Sequence, residues 1–138
     1  MDKDVVGVKI ESLRRCVQRI KDKTPDSAIS LIDDYDVQDI LCVNLERAVQ
    51  LSVDLASHVI ADADLPAPTT MAETFDHLRR LDFISAELAS RMKKAVGFRN
   101  IAVHAYQRID WMIVYSIITT RLDDFRIFAD VVARAAGL

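Results

Sequence analysis

The stretch DVQDILCVNLERAVQLSVDLASHVI, residues 36–60, contains neither glycine nor proline. Apolar or small side chains fall at Val37, Leu41, Leu45, Ala48, Ser52, Leu55 and Val59, in steps of three and four. That spacing is one face of a helix with 3.6 residues per turn. The pattern predicts a helix from about 36 to 62, with its N-cap among Asp33, Asp34 and Asp36. A stripe that long must be covered by other elements, so the rest of the chain decides what covers it.

On the N-terminal side, Val6, Ile10, Leu13, Val17 and Ile20 repeat the spacing and predict a first helix ending near Lys23, at the breaker Thr24-Pro25-Asp26. On the C-terminal side, Leu65-Pro66-Ala67-Pro68 reads as a loop. Thr70-Met71-Ala72-Glu73 has the capping-box spacing and predicts a short helix to about Leu81. Ser85 caps a further helix, expected to reach about 105. Gly97 interrupts it, which costs about 1 kcal/mol relative to alanine and suggests close approach by another group. A last helix is predicted from about 109 to 135, with Trp111, Val114, Tyr115, Ile118, Leu122, Phe125, Phe128 and Val132 on one side. Only three glycines and three prolines occur among 138 residues, too few for a strand-rich fold. The expectation is all-α: an antiparallel up-down bundle of four main helices with a short accessory helix, residues 1–138 forming one domain.

Composition narrows the function classes. The formal net charge is −3, so the chain as a whole is not a basic nucleic-acid binder. No apolar run approaches a membrane span, and the N-terminal segment lacks the apolar centre of a signal peptide, so the expected location is the cytoplasm. Cys16 and Cys42 fall at apolar helical positions without metal-ligand spacing, and are expected as buried free thiols. The charge is uneven. Between Leu88 and Ile109 lie Arg91, Lys93, Lys94, Arg99 and Arg108, with no acid.

Within that basic segment stands GFRNIAVHAYQ, residues 97–107. An imidazole moves protons near neutral pH, and a guanidinium holds a phosphate through two parallel donors. Together they are a minimal kit for cleaving RNA without a metal: one group moves the proton, the other meets the charge that builds on phosphorus. Arg99 and His104, five apart, diverge by roughly 140° on a straight helix. Asn100 and His104, four apart, share a face, so the amide can orient the imidazole. Arg99 and Tyr106, seven apart, share another. A twofold dimer that lines one cleft with two motifs would bring Arg and His together, as would a helix that ends near His104. Spacing alone leaves both open, and by itself favours a packing or surface histidine and a surface arginine over a catalytic pair.

Other candidates are fewer. Asp54 and His58, four apart, suggest a structural hydrogen bond rather than a metal site, since no third ligand has useful spacing. His77 lies among charges on the short helix and is expected in solvent. There is no Gly-rich phosphate loop, no CxxC and no GxSxG, and no cofactor is expected.

RNIAVHAY resembles the Arg-x4-His-x-Tyr motif of the HepT-like toxins, within the HEPN superfamily. The lead-in KKAVGFRN, the segment NLERAVQLSVDLASHVI (Asn44–Ile60) and the terminal LDDFRIFADVV are also similar to that family, over about residues 5 to 133. The resemblance implies an all-α homodimer with the two motifs facing across a cleft, and a metal-independent RNA endonuclease acting on cellular RNA, tRNA included. By this resemblance Arg99 would hold the scissile phosphate and His104 would be the general acid/base. Asn100, with Lys93 and Lys94 of the basic segment, would position substrate. Tyr106 would accept AMP from a small nucleotidyltransferase antitoxin of the MNT type, whose adenylate would block the cleft. Ala105 stands where relatives often carry an acid or another polar residue, and offers nothing to orient His104 or the phenol. The competing expectation is a non-catalytic helical adaptor that docks a nucleotidyltransferase. A third is a purely structural helical protein.

Overall fold

The computed structural model describes residues 1–61 and 63–138. Among them the chain forms α1 (Lys3–Lys23), α2 (Ala28–Ile32), α3 (Tyr35–Ile60), α4 (Met71–Arg80), α5 (Ala86–His104), a 3₁₀ turn (Tyr106–Arg108), α6 (Trp111–Thr120) and α7 (Asp123–Ala135). The predicted end of the second main helix at 62 lies outside the described residues; α3 itself ends at Ile60.

Helix α3 is the centre of the bundle and packs against α1, α4, α5 and α7. Its stripe buries Leu41, Leu45, Ala48, Ser52, Leu55 and Val59 as the spacing requires. Cys42, Val49, Val53, Ala56 and Ile60 are buried too, because neighbours surround the helix on more than one side. Polar groups inside are paired locally: Ser52 Oγ donates to the Ala48 carbonyl at 2.7 Å and Asn44 Nδ2 to that of Ile40 at 2.8 Å. Ion pairs at matching depths accord with the antiparallel directions. Lys9 of α1 meets Asp54 of α3 at 3.3 Å, Arg14 of α1 meets Asp130 of α7 at 3.4 Å, and Lys93 of α5 meets Asp76 of α4 at 3.1 Å. Phe75 and Phe128, both fully buried, meet edge to face at 5.7 Å and lock α4 to α7.

The caps follow the sequence signals. Asp34, Thr70 and Ser85 accept hydrogen bonds from the backbone N–H groups of Val37, Glu73 and Leu88, each at 3.1 Å. Glu73 reaches back to the backbone N–H and hydroxyl of Thr69, one residue before the cap.

Several expectations are corrected. Helix α2 was not anticipated: five residues are too few to show a period, although Ser27 caps it. The last predicted helix is two. The hydroxyls of Thr119 and Thr120 bond back to the carbonyls of Tyr115 and Ser116, and Arg121 then leaves helical geometry at φ −122°. The apolar stripe passes the break without a shift, since Ile118, Leu122 and Phe125 are all buried, so periodicity could not reveal it. At Gly97 a Cβ would meet nothing within 4 Å, so within one chain no close neighbour requires the glycine. His77 is buried, not solvated. The inward face of α4 carries Thr74, Phe75, His77 and Leu78, and His77 Nε2 lies 3.4 Å from Glu73 Oε1.

Asp54 accepts from Lys9 of α1 through Oδ2 and from Gln50 Nε2 through Oδ1, and makes no bond to His58. Both cysteines are buried free thiols. Burial, with the charge and hydrogen bond of Glu46, pushes the Cys42 thiol up to about 12, so it is inert at neutral pH. No helix among the described residues is long and apolar enough to cross a membrane.

Candidate functional site

The basic segment forms α5, and the motif occupies its C-terminal end. Met92, Val96 and Ala102 are buried against the bundle, which turns Arg99 only partly inward and leaves Asn100 and His104 exposed. The helix ends at His104: the Ala105 amide donates to the Ile101 carbonyl at 2.8 Å, and Ala105 itself has φ −150° and ψ 54°, outside helical geometry. The 3₁₀ turn then carries Tyr106 off the line of α5. Arg99 and His104 both lie within α5, so the ending of the helix after His104 does not turn the imidazole toward the guanidinium, and within one chain the two diverge.

Ending the helix changes which neighbours each motif residue meets. Tyr106 does not share a helical face with Arg99. Its hydroxyl donates to Oδ1 of Asp39, on the first turns of α3, at 2.6 Å, and its ring meets Trp111 edge to face at 5.9 Å. Partial burial, then the hydrogen bond and charge of Asp39, hold the phenol well above its ordinary value, so it is neutral at physiological pH. Arg99 Nη1 donates to Asn100 Oδ1 at 3.3 Å. The amide thus steadies the guanidinium, and the expected bond from Asn100 to His104 is not made, since the neighbouring cation competes for the same oxygen. His104 has no side-chain hydrogen-bond partner among the described residues, and its imidazole is open to a substrate.

Lys93 and Lys94 lie elsewhere. They line a groove between α4 and α5 with Asp76 and Arg79, and Lys93 is ion-paired to Asp76. The structure brings Arg99, Asn100, His104 and Tyr106 to one end of α5, but does not bring the two lysines to them.

Sequence reasoning missed Asp39 entirely. It is one of several acids around residue 36, and nothing in the spacing marks it as the partner of a tyrosine 67 positions away. It also missed a groove between α1 and α3 with a volume of about 760 Å³, lined by Arg15, Arg19 and Arg47 and ending at Asp39. The three arginines fall between the apolar residues of two amphipathic helices and read as solvated face.

The profile of the ribonuclease HepT-like family matches residues 10–132. The chain is 33% identical over 129 residues to an mRNA nuclease HepT of Shewanella oneidensis, covering 94% of this chain and 96% of the relative. It is 23% identical to a tRNA nuclease HepT of Aphanizomenon flos-aquae, covering 90% and 84%. Among solved structures, it is similar to the tri-AMPylated Shewanella oneidensis HEPN toxin in complex with MNT antitoxin, with a TM-score of 0.89, 33% identity and coverage of 97% and 99%. A second similar structure is a toxin-antitoxin with AMP-PNP, with a TM-score of 0.87, 32% identity and coverage of 96% and 99%.

Proposed function

The chain belongs to the ribonuclease HepT-like family, and from that premise we propose that it is the toxin of a toxin-antitoxin pair: a metal-independent RNA endonuclease silenced by an MNT-type nucleotidyltransferase. One observation carries the site assignment: α5 stops at His104, leaving the imidazole exposed and unbonded while Arg99 is steadied by Asn100 at the same helix end. In this reading His104 moves the proton of the reaction. A ribose 2′-hydroxyl gives up its proton, its oxygen bonds to phosphorus, and the P–O5′ bond breaks as the leaving oxygen is protonated. Arg99 meets the negative charge on the non-bridging oxygens, which is greatest between those two events.

A homodimer with facing motifs belongs to the same proposal. Ile101, Val103, Met112 and Ile113, all exposed, flank the motif on α5 and α6, and a second copy would cover them. Arg99 and His104 diverge on α5, so facing motifs would let an arginine of one copy and a histidine of the other meet one phosphate.

The antitoxin's target is the Tyr106 phenol. Transfer of AMP from ATP forms a bond between the phenol oxygen and the α-phosphorus, releases pyrophosphate and removes the phenol proton. The adduct places bulk and negative charge beside Arg99 and His104, where substrate phosphate must bind.

Purified protein incubated with total RNA in EDTA tests the chemistry. Fragmentation is expected to persist in the chelator and to disappear in Arg99→Ala and His104→Ala, and expression without the partner is expected to arrest growth. A double variant as toxic as the parent would overturn the mechanism; intact RNA beside a tight complex with the nucleotidyltransferase would favour the adaptor.

A further inference from the structure

The groove between α1 and α3 is a second basic surface in an acidic protein, separate from the basic segment of α5. Arg15 and Arg19 stand one turn apart on α1, about 6 Å along the axis. Arg47 faces them from α3. All three are exposed. Arg14, Arg91 and Arg126 each sit within 4.0 Å of a carboxylate, whereas Arg15, Arg19 and Arg47 have none among the described residues. The one acid lining the groove, Asp39, is already engaged by the Tyr106 hydroxyl. Like charges placed together without counterions oppose folding slightly, so the arrangement has an electrostatic cost that an anion would relieve.

The shape selects the anion. The three guanidiniums are spread along more than a helical turn and over two helices. They suit phosphates in series, and Val43 and Leu51 give the groove an apolar floor against which base faces can lie. Asp39, which lines the groove, accepts from the Tyr106 hydroxyl, so one residue links the groove to the motif tyrosine. We propose that the groove between α1 and α3, with Arg15, Arg19 and Arg47 as its cations, holds the backbone of single-stranded RNA next to the cleavage motif. The destination of the strand rests on the endonuclease reading above; the binding does not need cleavage to be measured.

The test is the salt dependence of binding, with His104→Ala as the parent so that RNA stays intact. A labelled single-stranded oligoribonucleotide long enough to span groove and motif is titrated with full-length protein at several salt concentrations. Each phosphate neutralised adds about 0.7 to the slope of log affinity against log salt for a single strand, so replacing all three arginines by alanine is expected to weaken binding and flatten the slope by about 2. Replacing the three by lysine keeps the charges and is expected to restore the slope. Arg126→Ala, on α7, serves as a control and is expected to bind like the parent. The arginines are exposed, so a thermal melt is expected to show each variant folded.

A triple alanine variant with the parent's slope, or a parent that does not bind RNA, overturns the proposal. So does a triple variant that falls from dimer to monomer on size exclusion, because the groove would then be buried between copies. Cleavage by protein with His104 intact is scored separately. Absent cleavage with the slope change present would remove the endonuclease reading and leave the groove; cleavage with an unchanged slope would remove the groove alone.

Discussion

The Tyr106 hydroxyl donates to Oδ1 of Asp39 at 2.6 Å, joining the turn after α5 to the start of α3. The pair has a pH signature. Partial burial, then the Asp39 carboxylate, raises the phenol above its ordinary value near 10. Above pH 10 the unfolded chain gives up this proton while the folded chain keeps it. The folded state then holds more protons, so stability falls as pH rises; below that range the contribution is intact. Asp39→Asn removes the opposing charge and is expected to bring the phenol back toward its ordinary value. Urea midpoints at neutral pH and above pH 10 should show a smaller alkaline loss in Asp39→Asn than in the parent; equal losses would mean that the carboxylate does not govern the phenol.

Arg91 ties α5 to α7. Its Nη2 lies 2.6 Å from Glu87 and its Nη1 3.5 Å from Asp124, whose side chain is only 12% exposed. Burial pushes the Asp124 carboxyl up, and Arg91 pulls it down. Arg91→Met leaves that carboxylate buried without its main partner, an expected loss of about 1–3 kcal/mol by chemical denaturation. The sign of the pH dependence follows. Without Arg91 the folded carboxyl takes up a proton more readily than the unfolded one, so acidification recovers stability. The deficit relative to the parent should narrow as pH falls toward the carboxylate range.

Much of this was legible in the sequence. The stripe from Val37 to Val59 is the buried face of α3, and the caps at Asp34, Thr70 and Ser85 stand where the residue types required them. Arg99 and His104 fall near the C-terminal end of α5 and Tyr106 in the turn beyond it, with no hydrogen bond among the three side chains. What escaped was set by contacts between distant segments. A break after Thr120 leaves the apolar phase unchanged. His77 looks polar beside Glu73 and Asp76, yet α4 turns it inward because Phe75 and Leu78 need the same interface. Asp39 acquires its role only when the turn after His104 delivers a phenol to it. Asp54 takes Lys9 of α1 as a partner, a pairing between helices that spacing along α3 does not show.

Phe128 tests the packing that joins the last helix to α4. It is fully buried and its ring meets Phe75 edge to face. Phe128→Ala removes the ring and leaves a cavity, for which about 3–5 kcal/mol is expected. Phe128→Leu keeps most of the volume and should lose clearly less. Denaturant midpoints with unchanged slopes would read both values, and a loss below about 1 kcal/mol in the alanine variant would mean that α7 packs less tightly than described.

Gly97 separates what one chain needs from what two copies need. It lies inside α5, two residues before Arg99, and a Cβ there meets nothing within 4 Å of its own chain. Glycine in a helix interior is destabilising by roughly 1 kcal/mol relative to alanine, through backbone entropy. For a protomer on its own, Gly97→Ala is therefore expected to raise stability by about that amount, read as a higher urea midpoint in protein dilute enough to be monomeric. In the proposed facing-motif dimer the same methyl group would project beside the shared cleft. Gly97→Ala is then expected to weaken self-association while stabilising the monomer, a split that sedimentation and denaturation together resolve. If the substitution strengthens both, no second copy approaches this turn of α5, and the dimer must be sought on another face.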